Sequence, residues 1–247
     1  MPSLGIVITT YNSERYINRL LDTVRSQKKK FDEVIIVDHA STDKTVEFIN
    51  AYSENFNLNF KFIKMLKNFG GPSWPRNKAI QIAEADYLCF CDADDLSTSN
   101  RSLIIKEKLN DKSYDLILHQ TISFYDDINN PEKIKFIYPI NNIKSTKNLL
   151  KTLYYEDSLT PTGVIVARTS LLKSTLFRED ENIIAGEDKC LLMDIALKEP
   201  SVLIINDILL LYYLGSQDFE KNKIYRNSLT SSKRTLSSVN YIHKNYS

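Results

Sequence analysis

The chain has 247 residues, 43% of them hydrophobic, enough for one large α/β domain or two small ones with a substantial core. Lys and Arg number 32 against 31 Asp and Glu, a net charge of +1. No global field therefore draws the protein to nucleic acid or to an anionic membrane surface, and an anionic ligand must be handled locally.

The first residues, Met1 to Thr10, lack the basic and apolar regions of a signal peptide. No apolar run approaches the ~20 residues of a membrane-spanning helix, which points to the cytoplasm. Cys89 and Cys91 sit two apart in an expected strand and Cys190 in an expected helix, a pattern that suits reduced, structural thiols. No further Cys or His is spaced to complete a zinc site.

In chain order the periodicity predicts strand Leu4–Thr9, helix Ser13–Gln27, strand Val34–Asp38, helix Asp43–Ser53, strand Phe60–Met65, helix Pro75–Ala83 and strand Tyr87–Cys91. This alternation is a βαβ series, and its short Val- and Ile-rich strands read as a mostly parallel sheet covered on both faces. Ile17, Leu20, Leu21 and Val24 form the apolar stripe of the first helix, with Asn12 or Ser13 as its cap. Val46, Phe48, Ile49 and Tyr52 do the same in the second.

After Asp95 the pattern loosens. It gives a helix around Leu103–Leu109, strand Leu116–Gln120, a polar surface loop from Tyr125 to Lys133, a helix near Thr146–Tyr155 and strand Gly163–Ala167. A helix around Asp188–Leu197 and strands within Val202–Tyr213 follow, and residues 216–247 read as an amphipathic tail.

Ligands of a doubly wound sheet bind beyond the carboxyl ends of its strands. That rule selects Thr9, Thr10, Tyr11 and Asn12 after the first strand, Asp38 and His39 after the second, and Asp92-Ala93-Asp94-Asp95 after the fourth. Three carboxylates within four residues repel one another unless a cation or a basic partner is near, and hard oxygen ligands of this kind suit Mg²⁺ or Mn²⁺ held jointly with phosphates. The plainer reading makes Asp95 a helix cap and leaves the others in water.

Between these clusters, Asn68 to Asn77 carries two glycines and two prolines, with Pro75 suited to open a helix and Arg76 in its first turn. A cation there opposes the helix dipole, so it fits better beside a bound diphosphate, although pairing with a surface carboxylate is an alternative.

Together these pieces resemble the family 2 glycosyltransferases of the GT-A fold. The matching segments are Val7-Ile8-Thr9-Thr10-Tyr11-Asn12, Val37 through Asp43, Pro75-Arg76-Asn77, Cys91-Asp92-Ala93-Asp94-Asp95 and Gly186-Glu187-Asp188. The loop Asn68–Asn77 is similar to that of bacterial wall teichoic acid N-acetylglucosaminyltransferases and related capsule enzymes. The resemblance covers residues 3–100 and 160–198. It implies an α/β GT-A domain with a Rossmann-like, mostly parallel sheet and helices on both faces. Residues 1–100 would hold the nucleotide-sugar and 101–215 the acceptor.

By position, the resemblance implies that Thr9 and Tyr11 contact a uracil, with the Tyr11 ring stacked on it and Asp38 and His39 in the same base pocket. Asn68 and Arg76 would bind the diphosphate, Asp92 the ribose, Asp94 a Mn²⁺ or Mg²⁺ ion, and Glu187 would shape the sugar pocket. Asp188 would be the general base of an inverting transfer from a UDP-sugar to a hydroxyl of a glycan, teichoic acid or lipid-linked saccharide, in the cytoplasm or at the inner face of the cell membrane.

Three positions depart from the family pattern. His39 replaces a second Asp that accepts a hydrogen bond from the uracil imide, a bond that a neutral imidazole can also accept. Leu191-Leu192-Met193-Asp194 stands where many members carry an Arg. A metal-site His is absent from Tyr212–Asp218, where Gln217 or Asp218 are the available substitutes. Competing classes are a non-catalytic nucleotide-sugar-binding relative and a sugar-phosphate nucleotidyltransferase, the latter disfavoured because Thr9-Thr10-Tyr11-Asn12 is no glycine-rich phosphate loop.

Overall fold

A computed structural model describes residues 1–54, 59–127, 130–139, 149, 161–180 and 186–216. Strands β1 (Leu4–Thr10) and β2 (Glu33–Asp38) are buried at every position, as are the first five residues of β4 (Tyr87–Asp92). That is the mark of strands covered on both faces. Helix α1 (Ile17–Arg25) buries Ile17, Leu20, Leu21 and Val24, the four residues its spacing singled out. Helix α2 (Thr45–Ser53) packs on α1, with Tyr52 donating to Asp22 at 2.6 Å. Strand β3 (Asn59–Lys64) is the outer strand of this half.

Among the described residues one nine-stranded sheet runs β3-β2-β1-β4, then β8 (Ile165–Arg168), β6 (Leu116–Asp127), β9 (Val202–Ser216) and β5 (Leu96–Ser97), with β7 (Asn130–Pro139) paired to β6. The pairs β2/β3, β1/β2 and β1/β4 are parallel. Right-handed crossovers put α1 and α2 on one face, and the return from β3 to β4 puts α3 (Ser73–Ile82), which packs on β1 and β2, on the other. Between β1 and β4 the winding reverses. The free ends of those two strands therefore open a crevice, the expected ligand position in such a sheet.

The second half is mixed. Strand β8 (Ile165–Arg168) runs antiparallel to both β4 and β6 (Leu116–Asp127), while β9 (Val202–Ser216) is parallel to β6. The short β5 (Leu96–Ser97) pairs with β9, and α4 (Arg101–Asp111) follows it. A 3₁₀ turn (Thr162–Val164) opens β8, α5 (Thr169–Lys173) closes it, and α6 (Glu187–Ala196) precedes β9.

Several local expectations are corrected. Residues 125–133 are no plain surface loop: β6 continues to Asp127 and pairs with β7 (Asn130–Pro139) as a hairpin. Asp127 pairs with Asn130, and the alternation Ile134, Phe136, Tyr138 is the strand signal hidden by the polar residues before it. Neither Asn12 nor Ser13 caps α1 with its side chain. Helix α3 begins two residues before Pro75, which still lies in the first turn where no N–H is needed. Cys89, Cys91 and Cys190 are buried free thiols, and burial pushes the first two above the ordinary thiol value. The helix expected at Thr146–Tyr155, apart from Leu149, and the tail from residue 217 lie outside the described residues.

Candidate active site

At the carboxyl ends of β1 and β4 lies a cleft of about 480 Å³. Its wall takes Thr9, Thr10 and Tyr11 from β1 and the turn after it, His39 from beyond β2, and Asn68 from the loop before α3. Arg76 of α3, Asp92 and Asp94 of β4 and its turn, and Glu187 of α6 complete it. Three clusters far apart in sequence thus converge on one space.

The turns after β1 and β2 brace each other. Asn12, in left-handed conformation with φ 47°, accepts from Thr42 N–H at 2.9 Å through Oδ1, and its own N–H donates to Ser41 Oγ at 2.8 Å. Asp38 does not join the cleft wall. It is buried, with both carboxylate oxygens turned onto Ser41, one accepting its N–H at 2.9 Å and the other its hydroxyl. Its position builds the turn rather than the wall. Tyr11, by contrast, presents its ring to the cleft at 50% exposure.

Arg76 is the electrostatic hub. It is only 2% exposed, and its guanidinium donates to Glu187 Oε1 at 2.7 Å and to both oxygens of Asp92 at 2.7 and 3.0 Å. Burial opposes its charge, but Asp92 and Glu187 outweigh that and hold it firmly protonated. The ring of Phe177 lies 5.3 Å beneath it. Asn77 sets that ring in place, since its amide donates to Phe177 O at 2.7 Å and accepts from Phe177 N–H at 2.8 Å. The Pro75-Arg76-Asn77 segment therefore has a packing logic as well as a charge.

The acidic run divides its work. Asp92 is taken by Arg76 and also accepts from Thr9 Oγ1 at 3.3 Å. Asp95 points inward rather than capping a helix: its Oδ1 accepts from Tyr213 N–H at 2.9 Å. Burial, then Asp94 and Asp92, push its carboxyl well above the ordinary range. Asp94, the third carboxylate of the run, lies on the cleft wall together with Asp92. Among the described residues no group of three or more His, Cys, Asp or Glu could by itself hold a metal. One carboxylate on a cleft wall, with Asp92 beside it, fits an ion that takes the rest of its ligands from water and from substrate phosphates, the usual manner of Mg²⁺.

Glu187 and Asp188 open α6 after Gly186, whose φ of 86° permits the sharp entry, and acidic groups in a first turn suit the helix dipole. Asp188 accepts from Lys189 N–H at 2.7 Å and does not itself form part of the cleft wall among the described residues. Burial first, then the charge of Glu187, raise its pKa to about 7 against the opposing pull of Arg76.

His39 Nε2 accepts from Phe69 N–H at 2.9 Å, so the imidazole nitrogen expected to serve the base is engaged by the protein. Its ring stacks at 6.2 Å on Phe69, which stacks in turn on Trp74 at 4.7 Å. Burial lowers the His39 pKa, only partly opposed by Asp38. This aromatic ladder, the tie from Arg76 to Glu187 and the inward turn of Asp95 were not anticipated. Gly70 and Gly71, both at positive φ, shape the loop that carries Phe69.

The profile described as Glycosyl transferase family 2 matches residues 5–176. The chain belongs to that family. It is 29% identical over 217 residues to the poly(ribitol-phosphate) beta-N-acetylglucosaminyltransferase TarS of Staphylococcus aureus, covering 84% of this chain and 35% of TarS. Against the poly(ribitol-phosphate) beta-glucosyltransferase of Bacillus spizizenii it is 30% identical over 226 residues, 88% of this chain and 33% of the relative. The chain thus spans about a third of the length of these curated relatives.

The crystal structure of TarS 1-349 in complex with UDP-GlcNAc matches with a TM-score of 0.67 at 24% identity, covering 85% of this chain and 58% of that one. The mannosyltransferase PcManGT from Pyrobaculum calidifontis, solved with GDP-Man and Mn²⁺, matches with 0.65 at 18% identity, 91% of this chain and 61% of the other. The fold is GT-A, and its helices flank a curled, mixed sheet. Among the described residues no helix is long and apolar enough to cross a membrane.

Proposed function

We propose that this chain carries the catalytic domain of an inverting glycosyltransferase that moves a sugar from a UDP-sugar to a hydroxyl of a surface glycopolymer such as teichoic acid. One observation carries the reading. Tyr11, Arg76, Asp92, Asp94 and Glu187 share a single cleft at the sheet's switch point, and Asp188 adjoins Glu187 in the same helical turn. The TarS complex with UDP-GlcNAc and the kinship to two poly(ribitol-phosphate) glycosyltransferases support the donor and acceptor classes.

In this reading the exposed ring of Tyr11 stacks on the base beside Thr9 and His39, while Asp92 approaches the ribose. Arg76 acts through its neighbours: by neutralising Asp92 and Glu187 it lets a diphosphate enter a site that would otherwise repel it. The side chain of Asn68, whose Oδ1 accepts from Gly70 N–H at 2.7 Å, keeps its amide donors for the diphosphate. Asp94 would hold Mg²⁺ or Mn²⁺, which when bound stabilises charge growing on the departing diphosphate.

Glu187 borders the sugar, fixed by Arg76. Asp188 removes the acceptor hydroxyl's proton as that oxygen attacks the anomeric carbon from the face opposite the diphosphate. A carboxyl poised at about 7 suits that task, because a base is most effective when its pKa lies near the working pH. One displacement inverts the anomeric centre.

The test is calorimetric titration of the chain with UDP and a panel of UDP-sugars, with and without Mn²⁺, followed by assay of sugar release. Metal-dependent UDP binding with turnover supports the proposal. Binding without turnover for any donor would instead indicate a non-catalytic relative, and the absence of any UDP binding would remove the nucleotide-sugar reading altogether.

A further inference from the structure

A backbone amide can only donate. The 2.9 Å bond from Phe69 N–H to His39 Nε2 therefore decides which ring nitrogen is bare: Nε2 carries the lone pair, and the proton of a neutral imidazole sits on Nδ1. The ring has little freedom to choose otherwise. It is buried, the residue's backbone N–H is fixed to Thr10 O at 2.8 Å, and the ring stacks on Phe69 with an interplanar angle of 15°. Turning it over would forfeit the bond to Phe69. Among the described residues nothing accepts from Nδ1, and His39 forms part of the cleft wall.

We propose that His39 reads the nucleobase as a donor, offering Nδ1–H to a lone pair on the pyrimidine edge, so that the cleft does not require the imide N–H of uracil. The inference rests on the reading of the cleft as a nucleotide-sugar site and sharpens it. Uracil presents N3–H between two carbonyl oxygens, whereas cytosine presents a bare N3. A carboxylate at this position accepts from the first and repels the second. An imidazole with its proton on Nδ1 instead meets a carbonyl of uracil or N3 of cytosine, so the discrimination against cytosine, roughly tenfold or more for one mismatched buried hydrogen bond, is lost.

The experiment titrates the chain, in the presence of Mn²⁺, with UDP and CDP, and repeats both titrations on His39→Asp. The native chain should bind the two diphosphates within about threefold of each other, and the variant should shift the ratio at least tenfold towards UDP. A native preference for UDP of tenfold or more overturns the inference while leaving the nucleotide-site reading intact. Binding of neither diphosphate overturns both. Because His39→Asp also removes the contact to Phe69, ¹⁵N-resolved NMR of the native imidazole provides a readout without any variant. Protonated Nδ1 with bare Nε2 is expected, and the reverse tautomer sinks the proposal.

Discussion

The Arg76 guanidinium binds Asp92 with two hydrogen bonds from one nitrogen, at 2.7 and 3.0 Å, and spends its other terminal nitrogen on Glu187, 111 positions away in sequence. A residue read as a phosphate ligand is first of all the clamp that holds two carboxylates of the site together. Asp92 keeps 32% side-chain exposure, so the pair is less desolvated than a fully internal one. Arg76→Ala should therefore destabilise the chain by roughly 2–4 kcal/mol, at or below the range for breaking a buried pair. Arg76→Lys should recover little of that, since one ammonium cannot reproduce the fork. Urea unfolding of both variants measures it. A loss under about 1 kcal/mol for Arg76→Ala would mean that the clamp is weak.

Asp188→Asn separates chemistry from binding. Removing a general base should lower kcat by roughly 10²–10⁴ while UDP affinity stays within a few-fold. The pH dependence has a defined sign. The folded carboxyl holds its proton up to about 7, whereas the unfolded chain releases it in the ordinary range. Native activity should accordingly rise with pH through a midpoint near 7. Stability from this group runs the other way, complete below the ordinary carboxylate range and lost as pH rises through 7. The variant should gain in Tm relative to the native chain between pH 5 and pH 8, as thermal melts without ligand can show. Undiminished turnover would reassign the base.

Much of the first half was legible because its strands are buried on both faces, which writes Val and Ile runs such as Val34-Ile35-Ile36-Val37 into the sequence. The rule that ligands gather at the switch point then located the cleft before any side chain was placed. Side-chain directions were not legible. Asp38 and His39 are adjacent, yet one closes a turn on Ser41 and the other faces the cleft, an outcome set by hydrogen bonds to residues 3 and 30 positions away. The sequence offers Asp95 as a helix cap and does not show the partners that set the three carboxylates of the acidic run apart. Arg76 and the Tyr213 amide made them different, and neither partner lies near the run in sequence.

That division of the acidic run yields a graded prediction. Asp94→Ala should weaken UDP binding in Mn²⁺ by at least about tenfold, the size expected for loss of a ligand contact or its supporting shell, and should leave metal-free binding nearly unchanged. Asp95→Asn should do less to either, because burial already favours a protonated carboxyl there and Asn can still accept from Tyr213 N–H. Calorimetry in Mn²⁺ and in chelator gives both comparisons. Equal losses for the two variants would contradict separate roles.

The acidic turn also depends on a glycine remote from it in sequence. Arg101, fully buried, donates to Phe90 O at 2.9 Å, to Gly163 O at 2.6 Å and to Ser97 Oγ at 3.0 Å, pinning the end of β4 to the turn before β8. A Cβ at residue 163 would stand 2.5 Å from Leu210 Cδ2, and Leu210 is itself fully buried. Gly163→Ala should cost about 1–3 kcal/mol as an overpacked core position. It should also weaken UDP binding, because any shift of the turn moves the Gly163 carbonyl that Arg101 ties to Phe90 O, and Asp92 follows Phe90 by two residues. Combining it with Leu210→Ala should show favourable coupling of at least about 0.5 kcal/mol in a double-mutant cycle read by urea unfolding. Strict additivity would place the strain somewhere other than the contact with Leu210.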